Sequence, residues 1–104
     1  MILYVVTETE AKYRASTGCA RIKHTLEAQA RDLCLVLHFS QLSRKRIAEL
    51  QPWAICHSGC ATPHAEYNVL THRGYRWVTR TCNVPQIGFC GGHQIIAVHH
   101  GAEL

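Results

Sequence analysis

One short segment near the C-terminal end of this 104-residue chain restricts its fold more than any other. It reads GFCGGHQ from Gly88 to Gln94 and follows the apolar stretch 84–87. The pattern predicts a strand, a sharp turn that carries Cys90, and then a helix. Positions two residues before and after such a turn residue are crowded, and here both are glycine, Gly88 and Gly92. The segment therefore has the pattern of a nucleophile elbow, with cysteine in place of serine.

The helix predicted after the turn favours chemistry at Cys90. Unpaired N–H groups at a helix N-terminus stabilise a nearby thiolate. The N–H group of Gly91 lies where a donor to an oxyanion is needed. A buried structural cysteine is the alternative interpretation, because buried cysteines are common. The two glycines and the helix start favour a nucleophile over that alternative.

A second segment points to the same edge of the fold. The apolar run 53–56 is followed by a loop of small residues that contains Ser58, Gly59 and Pro63. In an open parallel sheet, ligands bind beyond the carboxyl ends of the strands. Since both this loop and Cys90 follow predicted strands, the sequence predicts that they converge on one site.

Together the two segments resemble the class I glutamine amidotransferases, whose active-site signature is close to G-x-C-x-G-x-Q. Gly88, Cys90, Gly92 and Gln94 occupy all the named positions of that signature. The loop after residue 56 is similar to the family's oxyanion loop, often S/N-G-x-x-x-P. The resemblance covers residues 53–97 closely and the rest of the chain loosely.

The resemblance implies a role for five residues. Cys90 is expected to attack the side-chain amide carbon of glutamine, releasing ammonia. The N–H groups of Gly59 and Gly91 are expected to form the oxyanion hole. Gln94 and Ser58 are expected to contact the substrate. No cofactor and no metal are implied, and the expected partner is a synthetase or acceptor domain or subunit that uses the ammonia.

The chain departs from the family pattern in one respect. Family members activate the cysteine with a His and a Glu that lie well beyond the elbow. Here His99, His100 and Glu103 are too close to Cys90 in sequence to fold back onto it. Residues 1–104 are therefore expected to form the N-terminal part of such a domain, truncated after the elbow helix. A γ-glutamyl peptidase-like hydrolase on the same scaffold, or a non-catalytic fragment or interaction module, stays open.

Histidines near the second segment allow two further interpretations. His57 or His64 could replace the missing base, since a base and its nucleophile need only be close in space. Cys56, His57, Cys60 and His64 also supply ligand types that zinc accepts. Their spacing lacks the usual C-x-x-C geometry, and His57 is expected on the opposite strand face from Cys56. His93 is expected to point away from Cys90.

Alternating strands and helices predict an α/β fold, a partial doubly wound, flavodoxin-like parallel sheet with helices on both faces. Strands are predicted over residues 2–6, 33–39, 53–56 and 84–89. Helices are predicted over residues 18–32, 43–50, 74–82 and 91–100, with Ser43 as an N-cap. Residues 7–17 are expected to be a connection, 99–100 a frayed helix end, and 102–104 the start of another strand.

Composition excludes several classes of protein. The chain has no apolar run long enough to span a membrane and no basic segment at its start, so a cytoplasmic location is expected, without a membrane partner. The six cysteines are scattered, which favours free thiols. The net charge of +4 comes from dispersed basic residues without interleaved aromatic residues, so nucleic acid is not an expected partner.

Overall fold

The computed structural model describes residues 1–103 and shows four strands with five helices between and after them. The strands are β1 (Ile2–Val6), β2 (Cys34–His38), β3 (Ala54–His57) and β4 (Gln86–Gly88). The helices are α1 (Glu10–Ala15), α2 (Gly18–Ala30), α3 (Arg44–Leu50), α4 (Arg73–Thr81) and α5 (Gly91–His99). Three short 3-10 turns lie at Phe39–Gln41, His64–Glu66 and Asn68–Leu70.

All four strands are parallel and lie in the order β2-β1-β3-β4. This is the flavodoxin-like arrangement that the sequence predicts. The order reverses between β1 and β3, so the chain leaves these two neighbouring strands toward opposite sides. A crevice opens at such a position beyond the carboxyl ends of the strands.

Helices cover the sheet on both faces, and each face has its own apolar core. The core beneath α3, α4 and α5 contains Leu3, Val5 and Ile55 from the sheet, packed against Tyr75 and Ile95. The core beneath α1 and α2 is smaller and is built on alternate strand residues, which are Ile2, Tyr4, Val6, Cys34 and Cys56. Strand β1 is buried along its whole length, as its continuous apolar sequence predicts.

The prediction of a plain connection over residues 7–17 is wrong, because Glu10–Ala15 form helix α1. None of its residues is buried, so it has no apolar periodicity that the sequence could reveal. Local interactions stabilise it. The Thr9 side chain accepts a hydrogen bond from the Lys12 N–H at 3.4 Å, and Arg14 pairs with Glu10 one turn away at 2.7 Å.

The end of the chain also differs from expectation. Residues 102–103 are not in a strand: the Ala102 N–H donates to the Ala97 carbonyl at 3.0 Å and closes helix α5. Gly101 has a φ of 99°, which suits glycine after a helix end. Leu104 lies outside the described residues. His99 is not at a frayed end either, because its side chain is buried and its Nδ1 forms a hydrogen bond with the Thr79 hydroxyl at 2.7 Å.

The structure bears on two features of the composition, the lack of a long apolar run and the six scattered cysteines. Within residues 1–103, no helix is both long and apolar enough to cross a membrane. All six cysteines are free thiols, two of them buried at Cys34 and Cys56 and one exposed at Cys90.

Candidate active site

Cys90 is held in an unusual backbone conformation at the turn between β4 and α5. Its φ is 49° and its ψ is −110°. Arg31 and Gln51 also have a positive φ, but both adopt the left-handed helical conformation common at helix ends. Cys90 lies in a much less populated region, where the surrounding structure has to hold it. Such strained residues cluster at functional sites.

Two glycines leave room for this turn. A Cβ on Gly88 would lie 2.5 Å from the backbone nitrogen of His93. A Cβ on Gly92 would lie 2.6 Å from the carbonyl oxygens of both His57 and Ser58. These contacts are with backbone atoms, which cannot rotate away as a side chain can. The first turn of α5 therefore packs directly on the end of β3, as the elbow pattern predicts.

Pairing between β3 and β4 brings Gly59 to Cys90. His57 is in register with Gly88, and the Phe89 N–H donates to the His57 carbonyl at 3.0 Å. A Cβ on Gly59 would lie 3.5 Å from the Cβ of Cys90. The two segments singled out in the sequence thus meet at one edge of the sheet.

Two backbone donors remain available beside the thiol. Within residues 1–103, neither the Gly59 N–H nor the Gly91 N–H donates a hydrogen bond. Unpaired backbone N–H groups next to a nucleophile are the donors from which oxyanion holes are built. The arrangement is compatible with the predicted roles of Gly59 and Gly91.

Ser58 has a partner within the fold. Its hydroxyl accepts a hydrogen bond from the Thr7 N–H at 2.8 Å, and its carbonyl accepts one from the Thr7 hydroxyl at 2.9 Å. Ser58 therefore ties the end of β3 to the end of β1. The structure gives its side chain this positioning role, and substrate contact by Ser58 stays a prediction.

Glu8 is a site residue that the sequence did not single out. Its carboxylate accepts hydrogen bonds from the Thr9 N–H at 2.9 Å, the Ala61 N–H at 2.8 Å and the Thr62 N–H at 3.3 Å. Burial raises the pKa of Glu8, but the hydrogen bonds from the Thr62 side chain and these N–H groups outweigh it and lower the pKa to about 2. The ionised carboxylate fixes the loop that carries Gly59. Its signal in the sequence was an acidic residue just beyond the carboxyl end of a buried strand.

Cys60 and His64 form a second thiol–imidazole contact beside the elbow. The Cys60 Sγ lies 3.2 Å from the His64 Nε2, and a Cβ on Gly91 would lie 2.7 Å from that same sulfur. Both side chains line a cavity of about 250 Å³ together with Gln94. His64, a candidate base for Cys90, thus has Cys60 as its partner, and Gln94 lies beside the oxyanion region.

His57 is a structural residue. Its ring is fully buried, with Nδ1 2.7 Å from the Tyr75 hydroxyl and Nε2 2.7 Å from the Gln86 Oε1. Burial, more than any other cause, lowers the pKa of His57 to about 4. The Gln86 amide in turn donates to the Val78 carbonyl at 2.9 Å. With both ring nitrogens engaged, His57 has no free nitrogen to act as a base for Cys90 or as a zinc ligand.

A general base for Cys90 is not found in the part of the chain that the structure describes. No side chain within residues 1–103 makes a hydrogen bond to its thiol, and His93 is exposed. Over the same residues, no three His, Cys, Asp or Glu side chains converge to hold a metal ion. The site therefore consists of the exposed Cys90 thiol, the unpaired N–H groups of Gly59 and Gly91, and the loop that supports Gly59.

A cavity of about 390 Å³ opens at the reversal of strand order, next to this site. Its walls include Lys12 and Tyr13 from α1 together with Ser58, Gly59 and Cys60. The Lys12 ammonium donates to the Thr62 hydroxyl at 2.7 Å, so its charge lies over the loop beside Gly59. The ionised carboxylate of Glu8 lines the same cavity as the Lys12 ammonium, and charges of both signs suit a small zwitterionic ligand.

No known protein family matches the chain, and no curated protein matches it.

Proposed function

We propose that Cys90 is the nucleophile of a glutaminase-type amide hydrolysis, in a domain similar to the class I glutamine amidotransferases. The observation that carries this proposal is the backbone of Cys90, strained between two glycines and followed directly by α5. A backbone conformation that is this unfavourable in free energy persists only where the surrounding structure holds it in place. At a strand-to-helix turn it exposes a thiol at the carboxyl edge of the sheet.

The proposed chemistry has two halves. The Cys90 thiolate attacks the side-chain amide carbon of glutamine, forming a carbon–sulfur bond and a tetrahedral oxyanion that the N–H groups of Gly59 and Gly91 stabilise. The carbon–nitrogen bond then breaks, and the nitrogen leaves as ammonia after it receives a proton. Water hydrolyses the resulting γ-glutamyl thioester to glutamate and frees the thiol.

The cavity at the strand reversal is the proposed site for the amino-acid end of glutamine. Gly59 forms part of its wall and also approaches Cys90, so a ligand there can reach the thiol with its side chain. Lys12 offers a positive charge for the α-carboxylate. Gln94, on the other side of the elbow, faces the smaller cavity with Cys60.

The proton transfers need a base that residues 1–103 do not place at Cys90. In the proposed enzyme this base belongs to another polypeptide segment or chain. The ammonia that is released passes to a synthetase or acceptor. A general base contributes about two to four powers of ten in rate. Residues 1–104 alone are therefore expected to bind and react with a glutamine-like electrophile, without sustained release of ammonia from glutamine.

A glutamine-derived chloroketone tests the proposal, with chloroacetamide as the reagent that lacks the amino-acid end. We expect the chloroketone to alkylate Cys90 faster than chloroacetamide does, and free glutamine to slow only the chloroketone. Mass mapping identifies the site. The Cys82→Ser variant, at the end of α4, is the matched control and should react like the wild type, whereas Cys90→Ser should not.

Two results would contradict the proposal. Equal rates with both reagents, without protection by glutamine, would mean that the elbow has no glutamine site. Protection by a γ-glutamyl dipeptide but not by glutamine would instead assign the site to a γ-glutamyl peptidase-like hydrolase.

A further inference from the structure

Helix α4 presents three arginines on one outer face. Arg73, Arg76 and Arg80 are spaced by three and four residues, which places them along one side of a helix. They line a cavity of about 510 Å³ together with Thr71, Trp77 and Thr81. The elbow that carries Cys90 is not part of this cavity, so it is separate from the proposed glutamine site.

Within the described residues 1–103, the three guanidinium groups form no ion pair. The ion pairs within residues 1–103 use the acids Glu10, Glu27 and Asp32, and none includes an arginine of α4. Like charges held on one helix face repel one another, which disfavours the empty arrangement. Arg73 also stands at the first residue of α4, where the helix dipole is positive and a cation is unfavourable.

The positive field of this cluster extends into the protein. His99 is buried behind α4 and bonds the Thr79 hydroxyl and the Val69 carbonyl. Burial lowers the pKa of His99, and the charges of Arg76 and Arg80 lower it further. An anion in the cavity would offset these charges.

The aromatic wall of the cavity indicates the kind of anion. The Arg44 guanidinium lies over the Trp77 ring, 5.9 Å from its centroid, and the ring also packs against the core. Arg44 therefore covers one face of the ring, which leaves less of the ring open for a nucleobase to stack on. The other residues that line the cavity are the three arginines and two threonines, whose guanidinium and hydroxyl groups are donors for a compact, multiply charged anion.

We propose that Arg73, Arg76 and Arg80 form a binding site for the phosphate group of a small phosphorylated molecule. A guanidinium donates two parallel hydrogen bonds to phosphate oxygens, and a cluster of them matches a charge of two or more. A single carboxylate would leave most of the donors of three arginines unused.

Titration calorimetry with pyrophosphate tests the proposal on residues 1–104. We expect saturable binding to the wild type and a loss of about tenfold in affinity for each arginine removed in the R76Q/R80Q variant. Arg46 lies on α3, is exposed and does not line the cavity, so Arg46→Gln is the matched control that should bind like the wild type.

A second variant separates charge from geometry. R76K/R80K keeps both charges but loses the two-pronged donors, and we expect it to bind more weakly than the wild type and more tightly than R76Q/R80Q. Circular dichroism establishes that each variant is folded. Absence of pyrophosphate binding to the wild type would overturn the proposal, as would an equal loss in Arg46→Gln. Binding of a single-stranded RNA that depends on Arg76 and Arg80, without binding of pyrophosphate, would overturn it in favour of a nucleic-acid surface.

Discussion

Replacement of Gly92 by alanine tests the packing on which the elbow depends. The added Cβ would lie 2.6 Å from two carbonyl oxygens at the end of β3, those of His57 and Ser58. Both belong to backbone that is fixed by the β3–β4 pairing and by Thr7. Neither oxygen can move without disturbing the sheet, so α5 has to shift away.

The size of the effect follows from two opposing contributions. Overpacking a rigid site costs about 3 kcal/mol, the upper part of the usual range. Alanine in place of a helical glycine stabilises the helix by up to about 1 kcal/mol. We therefore expect Gly92→Ala to lower the free energy of unfolding by about 2 kcal/mol, and the Tm by about 8–16 °C for a domain of this size.

Urea and thermal unfolding, followed by circular dichroism, measure the effect. Gly18→Ala is the matched control, because its Cβ would meet only the Ser16 hydroxyl oxygen at 3.6 Å, an ordinary contact. It should be neutral or slightly stabilising at the start of α2. If Gly92→Ala and Gly18→Ala have the same stability, α5 does not press on β3 and the elbow geometry is wrong.

Three further predictions concern single groups. Limited alkylation with iodoacetamide, followed by mass mapping, should modify exposed Cys90 first and buried Cys34 and Cys56 last, because burial both shields these two thiols and raises the pKa of each. Labelling of either buried thiol before Cys90 would contradict the fold. His57 is buried neutral with a pKa of about 4 in place of 6.5, so the unfolded state binds more protons between these values and stability falls by about 3 kcal/mol as the pH is lowered across that range. Urea unfolding should show the decline already above about pH 5, before most carboxylates titrate, and a flat profile there would refute it. Ser43→Ala removes the N-cap that accepts the Arg46 N–H at 3.0 Å and should cost about 1 kcal/mol in thermal unfolding, whereas no change would mean that α3 does not depend on this cap.

The alternation of strand and helix patterns along the sequence was enough to predict the parallel sheet with helices on both faces. The continuous apolar run of β1, the cap at Ser43 and the glycines around Cys90 each reflect a local constraint that leaves a trace in the sequence. Burial on both faces requires an apolar run, a helix start favours a capping hydroxyl, and a crowded turn excludes a Cβ.

The interactions that were missed are those between segments distant along the chain. Glu8 and the loop at residues 61–62 are more than fifty residues apart, and nothing local to either indicates the contact. The same applies to His99, whose partners lie on α4 and in the turn at Asn68–Leu70. A histidine at the end of an apolar helix is compatible both with a frayed terminus and with a buried ring whose nitrogens are hydrogen-bonded. Only the tertiary packing distinguishes the two.

The position of Cys60 makes the candidate oxyanion hole vulnerable to chemical modification. Its sulfur lies where a side chain on Gly91 would be, with the His64 imidazole against it. An adduct on this thiol, even one as small as a sulfenic oxygen, would take up space beside Gly91. Its oxygen could accept the Gly91 N–H in place of a substrate oxyanion. A thiol reagent could therefore block the reaction at Cys90 by modifying Cys60 alone. Loss of activity after treatment with such a reagent would identify Cys90 as the nucleophile only in a Cys60→Ser variant.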